Sequence, residues 1–159
     1  MYKTLSMSLL ITMLVGCSST TALKHFDKNE LEIKALQYTK KADLIINNEQ
    51  KILLWGTYLN NIDIKKFNSE DESFLISIYF VNQESQDLNE NVYSFSLNEH
   101  SAKSVEEIKI TDKKYKDILF KNTWGKYYLV RFDNIKNNYK LTLSLNDLKN
   151  NSAILNFEK

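Results

Sequence analysis

SFLISIYFV, Ser73 to Val81, is the stretch whose reading decides the fold class. Phe74, Ile76, Ile78 and Phe80 recur at every second position, and an extended chain places all four on one face. The same period runs outward from there. Tyr93, Phe95 and Leu97 alternate with Ser94 and Ser96. Tyr139, Leu141, Leu143 and Leu145 alternate with Lys140, Thr142 and Ser144, and Ala153, Leu155 and Phe157 close the chain in the same way. Further strands are predicted over 42–46, 51–60, 105–111 and 126–133. Turn signals separate them: Asn47-Asn48, Asn60-Asn61, Gln83 to Asn91, Asn98, Asp133 to Asn138 and Asn146 to Asn151. Alternation of this kind marks half-buried strands. About eight short strands, with a turn roughly every ten residues, predict a mainly β chain folded as an antiparallel sandwich or barrel. The sandwich, immunoglobulin-like in architecture, is the expected form. The Cys–Trp–Cys spacing of true immunoglobulin domains is absent, so the likeness is architectural and implies no function.

Ahead of the strands, Asp27 followed three residues later by Glu30 reads as a helix cap with its capping-box partner. Leu31, Ala35, Tyr38 and Ala42 fall at helical spacing, although Leu31, Ile33 and Ala35 also alternate as an extended segment would. A short N-terminal helix is the expectation. Gly56, inside KILLWGTYLN, predicts a bulge or a close approach of backbone. Asp112 to Asn122 breaks the strand rhythm, with Ile118, Leu119 and Phe120 placed to pin that loop to the core.

The N-terminus carries an address. Lys3 precedes the apolar run MSLLITMLV, Met7 to Val15, which ends in Gly16 and Cys17. A charged start, an apolar run of roughly 7–15 residues and a small residue before the cut describe a secretory signal. A bilayer-spanning helix needs about 20 apolar residues, more than this run offers. Leu14-Val15-Gly16-Cys17 resembles the lipobox of bacterial lipoproteins. The resemblance covers the leader only. It implies diacylglycerol on the Cys17 sulfur and cleavage just before it, giving a signal peptide at 1–16, a lipidated tether at 17–26 and a single domain at 27–159. Ser18 stands where an Asp would resemble an inner-membrane retention signal. In a two-membraned organism this implies the outer membrane, with the domain facing the periplasm. Cys17 is the sole cysteine, so no internal disulfide is available.

Composition narrows the partners. Removing residues 1–16 removes one of 21 basic side chains and leaves 20 basic against 20 acidic. A neutral domain has no electrostatic footprint for nucleic acid, and none for membrane beyond its lipid. The chain has no Pro and three Gly, so Asn and Asp must make the turns.

Chemistry-bearing motifs are sparse. His25 and His100 are the only histidines, with no HxH, HxxxH or HExxH spacing, and they read as exposed residues. Glu70, Asp71 and Glu72, with Asp63 upstream, offer carboxylates for a cation, but no Gly-permitted turn lies among them, so a solvated loop is expected. His100 beside Ser101 and Glu99 is adjacency without a nucleophile elbow, and Gly56 and Gly125 are too far apart for a phosphate loop. No catalytic residue, metal or cofactor is expected. The most suggestive segment is Trp124-Gly125-Lys126-Tyr127-Tyr128. Strand geometry puts Tyr128, Val130 and Phe132 on one face and Tyr127, Leu129 and Arg131 on the other. A buried unpaired guanidinium is costly, so the Arg131 face is assigned to solvent. Trp124, Tyr127 and Arg131 then form an expected partner-binding patch of aromatic and arginine chemistry. The functional expectation is a non-catalytic protein-binding or structural module with an envelope partner. A carrier of a small or apolar ligand in a β-domain cavity is the alternative, and an enzyme ranks third.

Overall fold

The computed structural model describes residues 30–67, 70–119, 124–136 and 138–159, with the side chains of Ile64 and Lys65 outside the description. The expected signal peptide at 1–16, the expected tether at 17–26 with Cys17 and His25, the expected Asp27 cap and Phe120 lie outside the described residues.

Helix α1 spans Glu30–Gln37, shorter than the Leu31-to-Ala42 spacing suggests. Thr39 ends it: its Oγ1 donates to the Ala35 carbonyl at 2.6 Å and meets Thr57 Oγ1 at 2.7 Å, fastening the helix end to a strand. Ala42 therefore belongs to β1 and pairs with Leu54. Nine strands follow among the described residues: β1 Thr39–Ile46, β2 Glu49–Tyr58, β3 Glu72–Phe80, β4 Ser94–Leu97, β5 His100–Ser101, β6 Ser104–Ile108, β7 Lys126–Phe132, β8 Lys140–Asn146 and β9 Ser152–Glu158. The one that alternation does not predict is β5, a two-residue ladder with too little sequence to show a period. Between β2 and β3 lie a 3-10 turn, Leu59–Asn61, and the one-turn helix α2, Ile64–Phe67.

All the pairings are antiparallel. One sheet runs β1-β2-β3-β7-β6 and the other β5-β4-β8-β9, face to face as a β-sandwich. Asparagine makes the turns, as the lack of Pro requires. Asn47 and Asn48 both take positive φ in the β1–β2 hairpin, and five of the seven positive-φ non-Gly residues described are Asn.

The core between the sheets is built from the alternating sets: Phe74, Ile76, Ile78 and Phe80 of β3 face Leu141, Leu143, Leu145, Leu155 and Phe157 of the second sheet. Tyr58, Phe74, Phe132 and Phe157 form an aromatic cluster with ring centroids 5.0–6.2 Å apart. Gly56 marks a close approach, as expected: a Cβ there would stand 2.6 Å from Leu155 Cδ1 and 3.3 Å from Ile76 Cδ1 and Phe157 Cζ. The bulge in this hairpin falls on β2 at Lys51, which is skipped between the Leu44–Ile52 and Ile45–Gln50 pairs.

The five-stranded sheet departs from the half-buried expectation. Its outer face carries a second core, in which Leu75, Tyr127 and Leu129 pack with Ala35 of α1, Leu59, Ile62, Phe67, Ile108, Tyr115, Ile118 and Leu119. The segment after Asp112 is the pin that sequence predicts, with Ile118 and Leu119 buried on that face. β3 and β7 are thus covered on both sides, whereas β9 keeps clean alternation and faces water on its outer side.

Candidate functional site

β7 delivers the expected patch residues to three different environments. Trp124, just ahead of the strand, is 76% exposed. Tyr127 is 4% exposed, buried in the outer core beside Leu75, Leu119 and Ile108. Its assignment to a solvent face is corrected: α1 and the segment after Asp112 cover that face and take the ring and Leu129 into apolar contact. Arg131 lies on the same face at its rim, past the cover, where its side chain is 31% exposed and Nη1 sits 3.4 Å from Glu106 Oε2. Seven residue steps separate Trp124 from Arg131, roughly 23 Å along a strand. The three side chains therefore do not form one contiguous patch.

Exposed apolar surface near Trp124 lies instead at the Ile108 end of β6, an edge strand of its sheet among the described residues. Ile110 is half-exposed there, whereas Val105, also half-exposed, pairs with Val130 toward the far end of β7. A groove of about 480 Å³ runs beside Ile110, lined by Glu107, Ile108, Lys109, Ile110, Thr111, Gly125, Lys126 and Tyr127. Lys126 crosses its end, donating to Glu107 at 2.9 Å and to Asp87 at 3.2 Å. The bond to Glu107 is the main reason the Lys126 ammonium holds its proton above the usual lysine range. Asp87 is held below the usual carboxylate range, chiefly by the backbone N–H of Asn89 and then by Lys126.

At the other end of the molecule a polar cleft of about 560 Å³ opens between α1 and the second sheet, lined by Gln37, Tyr38, Lys40, Lys140, Thr142, Asn156, Phe157 and Glu158. Its hydroxyl and amide groups partly satisfy one another, Thr142 Oγ1 donating to Asn156 Oδ1 at 3.2 Å.

The acidic run at 70–72 diverges. Glu70 is exposed. Asp71 accepts from Lys103 Nζ at 2.8 Å. Asp63 caps α2 through the Lys66 N–H. Glu72 corrects the solvated-loop reading: it is 1% exposed, accepts from Tyr58 Oη at 2.6 Å and pairs with Lys159 Nζ at 2.5 Å. Lys159 also donates to the Ile135 carbonyl at 2.7 Å. Burial first, then the bond to the Glu72 carboxylate, pushes the Tyr58 phenol well above the usual tyrosine range. Among the described residues no three His, Cys, Asp or Glu side chains gather in a group that could hold a metal ion. His100, Ser101 and Glu99 are exposed neighbours on the β4–β5 hairpin.

Sequence reasoning missed the Glu72 pair, although its signal was present. Glu72 stands two residues before Phe74 and shares its inward face, so an inward carboxylate demanded a partner. No known family, curated protein or solved structure was found to match this chain.

Proposed function

We propose that the protein is an envelope lipoprotein, anchored through lipid on Cys17, whose sandwich is a non-catalytic module working through protein contacts. The anchor rests on the order of Lys3, apolar run, Gly16 and Cys17. In a two-membraned organism, Ser18 favours the outer membrane, facing the periplasm.

One structural observation carries the contact reading: Trp124 and Ile110 are exposed beside the Ile108 end of β6, an edge strand of its sheet among the described residues. A sheet edge offers main-chain hydrogen bonds to an added strand, and an exposed Trp is typical hot-spot chemistry. The dense interior weighs against a carrier, since between the sheets Gly56 lacks room even for a methyl group.

Two measurements test the proposal. Cys17→Ser should release the protein from membranes or leave an uncut precursor, and a variant that still fractionates with membrane as the processed chain would refute lipid anchoring. A photo-crosslinker at Ile110 in intact cells should give a defined adduct that Trp124→Ala abolishes. The same adduct from Leu148, or its persistence without Trp124, would refute the β6 edge as the contact.

A further inference from the structure

The feature left unabsorbed by this reading is the outward face of α1. The helix buries Ala35 in the outer core, yet Ile33 is 47% and Leu36 44% exposed. Three positions apart, they are neighbours on the helix surface. Tyr139, 65% exposed, stands near the same pole of the sandwich. Several contacts define that pole. Lys140 is paired with Glu158, Asn61 Nδ2 donates to the Glu158 carbonyl at 3.1 Å, and the polar cleft brings Gln37 and Lys40 against Lys140 and Glu158. The Asn47-Asn48 turn and Leu148, 82% exposed, lie at the opposite pole, where β1 and β8 end.

We infer that the α1 pole rests on the bilayer, with Ile33 and Leu36 entering its apolar boundary. This rests on the lipid-anchor reading and adds an orientation to it. Thirteen residue steps separate Cys17 from Glu30. At ~3.6 Å per residue the lipid lies within about 47 Å of the helix, about one and a half times the roughly 33 Å length of a ten-residue strand such as β2. A link this short keeps α1 near the surface at an effective concentration on the order of millimolar. Two half-exposed apolar side chains then suffice, although they would not hold an untethered protein.

Charge does not select the surface. Lys34, Lys40 and Lys140 are offset by Glu30, Glu32 and Glu158, and Lys34 is already 3.2 Å from Glu30. The contact is therefore apolar and independent of anionic lipid.

The sole cysteine makes a clean test. The chain from Cys17 to Lys159 is coupled through its thiol to maleimide lipid in phosphatidylcholine vesicles. It is compared with the same chain capped at Cys17 by a small polar maleimide. Carbene footprinting reads each side chain by mass spectrometry. Labelling of Ile33 and Leu36 should fall several-fold on coupling, while Leu148 stays unchanged. Equal labelling in both states, or protection centred on Leu148, overturns the orientation. Protection of Ile33 and Leu36 in the capped chain that grows with protein concentration assigns the face to a second copy and also overturns it. Acylation is read separately in cells: unacylated Cys17 removes the anchor, whereas an acylated chain with unprotected α1 removes the orientation alone.

Discussion

Truncating Tyr127 distinguishes a displayed ring from a core one. The ring is 4% exposed and packs on Leu75, Leu119, Ile108 and Tyr115, within the layer that joins α1 to the five-stranded sheet. Replacing a buried aromatic by Ala costs about 3–5 kcal/mol, from lost transfer energy and the cavity left behind. Phe132, 1% exposed and facing the other sheet, belongs to the same class. Tyr127→Ala and Phe132→Ala should therefore destabilise by similar amounts, although one residue faces outward from the sandwich and the other inward. Domains of this size are stable by about 5–15 kcal/mol in all, so either loss removes a large share. It would lower the melting temperature by about 10–15 °C. Urea unfolding followed by circular dichroism gives both midpoints, and an unchanged slope would show that stability alone has moved. Tyr127→Phe keeps the ring and should lose no more than about 1.5 kcal/mol. A Tyr127→Ala midpoint within the equivalent of about 1 kcal/mol of wild type would refute the second core, since such a loss is typical of a surface site.

Gly56→Ala should destabilise by about 1–2 kcal/mol in the same assay. Overpacking against Leu155 costs about 1–3 kcal/mol, and relief of glycine's backbone entropy returns about 0.5–1 kcal/mol; a stabilised variant would mean that the sheets part easily at this point. The alkaline limb of stability should be steep. Burial raises the Tyr58 and Tyr128 phenols above their ordinary value, so above about pH 10 the unfolded chain sheds protons that the folded chain keeps, and stability falls as pH rises. Spectrophotometric titration should show these tyrosines ionising only as the fold is lost, and normal ionisation of Tyr58 and Tyr128 in the folded chain would contradict it.

Much of the fold was legible because alternation is a local property. The inward set of β3, β8 and β9 could be named from spacing alone, and the Asn pairs located the turns. What alternation cannot show is a second cover. Leu75, Tyr79, Tyr127 and Leu129 fill the off-phase positions of β3 and β7, and near-continuous apolar runs are the mark of strands buried on both faces. The run from Phe74 to Phe80, broken only by Ser77, carried that mark. The cover comes from α1 and from the connections that lead into β3 and β7, and strand spacing does not show that they fold back over the sheet.

Arg131 shows why one charged residue is weak evidence about a face. Burial varies along a strand as well as across it. Arg131 pairs in register with Ser73 and Ser104, one row beyond the last apolar residue of the outer core, Leu129. A long side chain at such a rim keeps its stem on the protein and its head near water and Glu106. The desolvation cost that assigned the whole face to solvent therefore applies to one row only, and two residues earlier the same face is dry. Glu72 is the converse case. Its period points inward, and a carboxylate there is tolerable because Tyr58 and Lys159 meet it. Lys159 lies 87 residues away, at the end of the other sheet, and is brought there by the packing of one sheet on the other. In both cases the local pattern predicts direction, while the energy of a polar side chain depends on neighbours supplied by the tertiary fold.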